Sequence, residues 1–179
     1  MKKITVIAAG LLLANTVSAQ KYMTRSGRIT FFSQTPIENI EAFNNETGAV
    51  IDLATGDVVF QVPVKSFKFE KQLMQDHFNE SYMESDKYPK ADFKGKLAPG
   101  TVSDKPGVYK TTVSGKLTIH GVTKDVKVPG TVTIGANEAS VMAQFKVATA
   151  DYKIRIPSVA EGKVAKEIEI TINSSLKKM

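Results

Sequence analysis

Residues Tyr109 to Gly121 read YKTTVSGKLTIHG, and the chain alternates through them. Tyr109, Thr111, Val113, Gly115, Leu117 and Ile119 fall on one parity. Lys110, Thr112, Ser114, Lys116, Thr118 and His120 fall on the other. One apolar and one wet face is the pattern of a half-buried antiparallel strand. His120-Gly121-Val122-Thr123-Lys124 supplies a turn. The next strand carries Val126, Val128, Val132 and Ile134 on one side, with Pro129-Gly130 predicting a bulge or bend. Val141, Ala143, Phe145 and Val147 predict another strand. KEIEITIN predicts a last one, with Ile168, Ile170 and Ile172 alternating against Glu167, Glu169 and Thr171.

The first half is noisier. Arg28 to Ser33 places Ile29 and Phe31 together. Gly48 to Leu53 and Asp57 to Lys65, separated by Ala54-Thr55-Gly56, read as a hairpin. Phe60, Val62 and Val64 share a face, but Phe67 and Phe69 fall on the opposite parity. The chain therefore shifts register after Pro63 or leaves the sheet there. Phe93, Gly95 and Leu97 make one more strand. Glu70 to Met83 breaks the rule, because Leu73, Met74, His77, Phe78 and Tyr82 recur at helical spacing without Gly or Pro. A short amphipathic helix is expected, ended by Ser85 to Pro89 because the residue before a proline avoids helical backbone.

The fold class is all-β. About eight amphipathic strands form either a sandwich or a closed barrel. An eight-stranded barrel holds side chains only, or one small ligand. Small inner-face candidates (Thr111, Gly115, Ala143, Gly95) favour an under-filled lumen, but they also suit a tight core with large neighbours. The pattern alone leaves both open.

The ends and the composition add a destination. MKKITVIAAGLLLANTVSAQ has a basic start, an apolar run from Ile4 to Ala14, and a small-residue cleavage site at Val17-Ser18-Ala19, the three parts of a secretory signal. Residues 1–19 are expected to be removed, leaving residues 20–179 as one domain in an extracytoplasmic, periplasmic compartment. Losing Lys2 and Lys3 lowers the formal charge from +6 to +4, since no acid lies in that segment. The remaining bases are mixed with acids, which argues against nucleic-acid binding and leaves room for transient contact with a membrane surface. With no cysteine, disulfides and thiolate metal sites are excluded.

Candidate chemistry is sparse. No phosphate loop, HExxH, GxSxG or calcium-loop pattern occurs. His77 and His120 are the only imidazoles. His120 reads as a hydrogen-bonded turn residue, and His77 lies on the aromatic stripe of the helix. Asp151 and Tyr152 in ATADYKIRIPS put a carboxyl and a hydroxyl near a barrel end, with Arg155 beside them. An enzyme acting on a lipid headgroup would use His77 or Asp151 as base. A third reading, an eight-stranded outer-membrane barrel, would turn the apolar face to lipid.

HFNESYMESDKYPKADFKGKL, followed by LTIHGVTKDVKVPGTVTI, strongly resembles the YceI-like family of secreted bacterial proteins, over essentially all of residues 20–179. His77, Phe78, Tyr82, Tyr88, Pro89 and Phe93 match the first segment, and His120 to Thr123 the turn. The resemblance implies an eight-stranded antiparallel lipocalin-like β-barrel with a short amphipathic helix after the third strand. It also implies a lumen that binds a long polyisoprenoid chain, such as an isoprenoid quinone, for transport or storage. No cofactor beyond that lipid is implied, and the expected state is a monomer or homodimer without catalytic residues. Together with parity, it gives the expected ligand-binding set: Phe31, Phe60, Val62, Phe67, Phe69, Met74, His77, Phe78, Tyr82, Phe93, Val113, Leu117, Ile119, Phe145 and Tyr152. The helix should act as a lid.

Overall fold

Alternation becomes a barrel because each strand has one face to hide. The computed structural model describes residues 20–179, so the expected signal segment lies outside the described residues. Strands β1 (Lys21–Gln34), β2 (Asn39–Asp52) and β3 (Asp57–Pro63) form a meander. A two-residue strand β4 (Lys68–Phe69) and helix α1 (Gln72–His77) follow. Strands β5 (Lys90–Leu97), β6 (Gly107–Ile119), β7 (Val122–Ile134), β8 (Glu138–Ala148) and β9 (Glu167–Lys178) complete the chain. The ring runs β1-β9-β8-β7-β6-β5-β3-β2 and closes by antiparallel pairing of β2 with β1. Eight strands thus enclose the lumen, and β4 extends the sheet on β2 at Ala42 and Phe43.

The two ends differ in chemistry. At one end Tyr22, Ile51, Val58, Phe60, Leu97, Val132, Ile134, Val141 and Leu176 pack into a buried plug. At the other end lie the β1–β2 turn, the whole excursion between β3 and β5, the β6–β7 turn and residues 149–166. This end opens.

Several local expectations are corrected. Pro129-Gly130 makes no bulge, since β6 and β7 pair without a break from Gly107↔Ile134 to Ile119↔Val122. Its effect falls on the other edge: β7 pairs with β8 only from Gly130↔Ala143 to Ile134↔Ala139. Pro129 has no N–H to donate, and the two strands splay from that point toward the open end. Gly95 and Gly115 do not open the lumen. They pair across β5 and β6, and a Cβ at Gly95 would lie 2.5 Å from the Ser114 carbonyl and 2.6 Å from the Phe93 ring. These glycines let two backbones approach.

The expected helix over residues 70–83 is shorter and changes type. α1 is one and a half turns, and Phe78–Tyr82 continues as a wider π-helical turn closed by the Met83 N–H on the Phe78 carbonyl, 2.8 Å. Ser85 closes the helical segment, its Oγ donating to Asn79 Oδ1 (2.7 Å) and its N–H to the Asn79 carbonyl (2.8 Å). The parity change at Phe67 has its cause here as well. After Pro63 the chain turns through a 3-10 segment, Val64–Ser66, before rejoining the sheet as β4.

Candidate binding cavity

A cavity of about 700 Å³ fills the lumen from the plug to the open end. That lies within the size range of small-molecule sites, roughly 300–1,000 Å³. Its wall is built by the inward parity of all eight barrel strands, β1, β2, β3, β5, β6, β7, β8 and β9, and it is overwhelmingly hydrocarbon. Every one of the fifteen expected residues lines it: Phe31, Phe60, Val62, Phe67, Phe69, Met74, His77, Phe78, Tyr82, Phe93, Val113, Leu117, Ile119, Phe145 and Tyr152. The outer parity carries Lys94, Lys96, Lys110, Lys116, Lys127 and Lys146 instead. That polarity is opposite to the one an outer-membrane barrel needs, which sets the third reading aside.

The aromatic residues gather in one corner. Phe31 on β1 lies 5.4 Å from Phe67, 5.5 Å from Phe69 and 5.4 Å from Phe78 between ring centroids, and Phe69 lies 5.0 Å from Phe78. Such pairs are favourable beyond the area they bury, each by about 0.5–1.5 kcal/mol. Phe78 therefore hooks the π-helical turn onto the barrel wall. Met74, Phe78 and Tyr82 are half-buried against the cavity, while His77 stands exposed at its edge. Leu73 is on the outer rim, so the stripe covers the lumen only in part.

The root of this excursion is fixed by a buried polar group. Asn44, fully buried, donates from Nδ2 to the Pro63 carbonyl at 2.8 Å, and its Oδ1 accepts from Thr47 Oγ1 and the Glu46 N–H. Across the mouth, buried Ser33 accepts the Ala165 N–H at 2.9 Å. Neither residue stands out in a hydrophobic pattern. Ile154, Pro157 and Val164 also line the cavity, from a segment with no period to reveal them. Ile168, Ile170, Ile172, Val126 and Val128 line it too; the expected set left them out, although strand parity puts them on the same faces.

A second polar cluster ties the lid to two other segments. His120 Nε2 lies 2.8 Å from Glu84 Oε2, and Nδ1 lies 3.2 Å from the Tyr152 carbonyl. Tyr88 packs edge-on against the imidazole at 4.5 Å. Glu84, His120 and Lys153 are the non-glycine residues with positive φ among the described residues, at 43°, 51° and 56°. Left-handed backbone is unfavourable for such side chains, and strain persists only where the surroundings impose it. Glu84 and His120 belong to this contact, and Lys153 directly follows Tyr152, whose carbonyl His120 meets. Gly121 completes the turn at φ 72°, where a Cβ would also strike the Tyr88 ring. The expected turn role of His120 is what the structure shows, with the lid as its partner.

Burial raises the Tyr82 phenol above its ordinary value of 10.0. Burial also raises the Tyr152 phenol, helped by the charge of Asp151. Asp151 itself points away from the cavity, exposed and 3.8 Å from Lys124 Nζ. Its carboxylate is not part of the cavity lining. Among the described residues no group of three or more His, Asp or Glu side chains gathers to hold a metal ion.

The sequence model of the YceI-like domain matches residues 16–176. The chain belongs to the YceI-like family. Solved structures agree on the fold at low identity. A polyisoprenoid binding domain from Saccharophagus degradans, implicated in plant cell wall breakdown, superposes with a TM-score of 0.77 at 12% identity, covering 90% of this chain and 99% of that one. Burkholderia cenocepacia BcnA gives 0.69 at 21%, covering 83% and 95%. The Campylobacter jejuni YCEI protein gives 0.65 at 18%, covering 100% and 99%. No curated protein matches the sequence significantly.

Proposed function

We propose that this YceI-like protein is a secreted, periplasmic carrier or store that holds one long-chain polyisoprenoid lipid, such as an isoprenoid quinone, inside its barrel. The observation that carries the reading is the cavity: about 700 Å³, walled by hydrocarbon and phenyl rings and plugged at one end. Each ligand methylene buried there contributes ~0.8 kcal/mol, so ten carbons contribute roughly 8 kcal/mol before ordering costs. A site of that kind selects an oily chain without a dedicated polar contact. The fold-level likeness to a polyisoprenoid binding domain supports the class of ligand. The signal-like first residues support the compartment.

Binding fits the site better than catalysis. His77 stands at the rim and Asp151 is turned to Lys124, so no positioned acid–base pair faces the lumen among the described residues. The test is to purify the protein under mild conditions, extract it with organic solvent and weigh what is released. A long-chain isoprenoid at near one per protein is expected. The reading fails if the extract is empty and stripped protein takes up no polyprenol from detergent micelles.

A further inference from the structure

The mouth of the cavity is ringed by large apolar side chains that face water. Ile37 in the β1–β2 turn is 67% exposed, Leu73 on α1 is 64%, and Val159 in the 3-10 turn Ser158–Ala160 is 85%. Single exposed hydrophobics are ordinary on a protein surface. These three come from separate segments and stand on one rim. Leu73 and Val159 also line the cavity, so apolar side chains of the lip continue the wall of the lumen to the outside. Ile37 lies against the same lip, 3.2 Å from where a Cβ on Gly162 would sit.

We propose that this rim docks on the surface of a lipid bilayer, seating the mouth at the level where acyl chains begin, so that the cargo passes between bilayer and lumen without crossing water. This rests on the polyisoprenoid reading above. Two features favour a bilayer over a folded protein as the occupant. The apolar groups sit on short convex turns around a hole, which a fluid interface accommodates; a protein partner needs a continuous complementary face, roughly 1,000 Å² or more. The charged residues in the cavity lining also cancel, Lys71 and Lys163 against Glu38 and Asp92. Insertion of side chains, rather than attraction to anionic lipid, then supplies the binding, and zwitterionic vesicles suffice.

The experiment floats stripped, full-length protein with protein-free phosphatidylcholine vesicles, with and without added phosphatidylglycerol, at low and high salt. Binding is expected on both vesicle types, with weak salt dependence. Replacing an inserted aliphatic side chain by a charged or polar one is expected to weaken binding about tenfold or more. Ile37→Asp, which lies outside the cavity lining, should therefore lose vesicle binding and slow uptake of polyprenol from vesicles, yet load normally from detergent micelles. Leu73→Gln with Val159→Gln should likewise lose vesicle binding and slow uptake from vesicles. The proposal is overturned if stripped protein does not float, if none of these substitutions changes flotation, or if only native membranes that retain their proteins are bound, which would name a protein partner. Failure to load from micelles would instead sink the cavity reading.

Discussion

Replacing His120 by Asn tests whether the lid is latched as its geometry implies. Asn tolerates left-handed backbone, so the strained turn at φ 51° survives while the imidazole's contacts go. The bond to Glu84 is short, 2.8 Å, but the carboxylate is 45% exposed, so its share is discounted to about 1 kcal/mol. The bond to the Tyr152 carbonyl at 3.2 Å adds about 1 kcal/mol more. A loss of ~2 kcal/mol in a domain of this size lowers the melting temperature by about 4–8 °C. Hydrogen exchange should quicken together in three places that are far apart in sequence: residues 78–85, 120–122 and 149–153. Glu84→Gln alone should cost about half as much, and the double variant less than the sum, with a coupling of at least ~0.5 kcal/mol. Additive effects, or exchange that quickens only around residue 120, would show that the contact is incidental and the lid is held by Phe78 alone.

The remaining predictions address the wall, the phenols and the strand contacts. Leu117→Asp, at a buried lumenal position, should abolish lipid loading in protein that still folds, and Phe145→Asp likewise; normal loading by a folded variant would show that the inward parity carries no ligand. Burial raises the Tyr152 phenol, so its neutral form stabilises the fold up to pH about 10 and that stability is lost as pH rises beyond. Tyr152→Phe should therefore flatten the alkaline limb of a melting-temperature profile, and an unchanged limb would remove the phenol from that account. Gly115→Ala places a methyl against the Lys94 carbonyl and the Gly95 backbone, and a destabilisation of about 1–3 kcal/mol in denaturant titration is expected. A neutral result would mean that β5 and β6 part easily.

Much of the barrel was legible because its signal is local. Strands β6 to β9 keep strict parity, and that parity alone puts Val113, Leu117, Ile119 and Phe145 on the lumenal side. What escaped was set by tertiary context. Gly95 and Gly115, which the pattern left open between lumenal space and tight packing, serve strand contact, and only the register reveals it. Pro129-Gly130 reads as a bulge or bend, yet the missing N–H of Pro129 acts on the neighbouring strand β8. The π-helical turn at Phe78–Tyr82 has the same periodic stripe as an ordinary helix, so a hydrophobic pattern cannot separate them. Asn44 and Ser33 look like surface residues until the chain segments they tie are brought against them. Glu84 gives no sign in one dimension that His120 is its partner.

A lumen of this size also bears on stability. Cavities made in packed cores destabilise by about 24 cal/mol per Å³, which for about 700 Å³ would exceed the whole stability of a typical domain. The barrel must therefore draw its stability from sheet closure, the plug around Tyr22, Ile51 and Leu176, and the second buried cluster around Ile29, Phe31 and Phe67. Ligand binding then acts as a stabiliser by mass action, about 2.7 kcal/mol at a free ligand concentration 100 times Kd. The loaded protein should melt about 5–11 °C above the stripped one. The gain in exchange protection should concentrate in residues 64–89 and 149–166 rather than in the plug. If loaded and stripped forms melt together, or if the plug is what tightens, the lumen is not where the lipid sits.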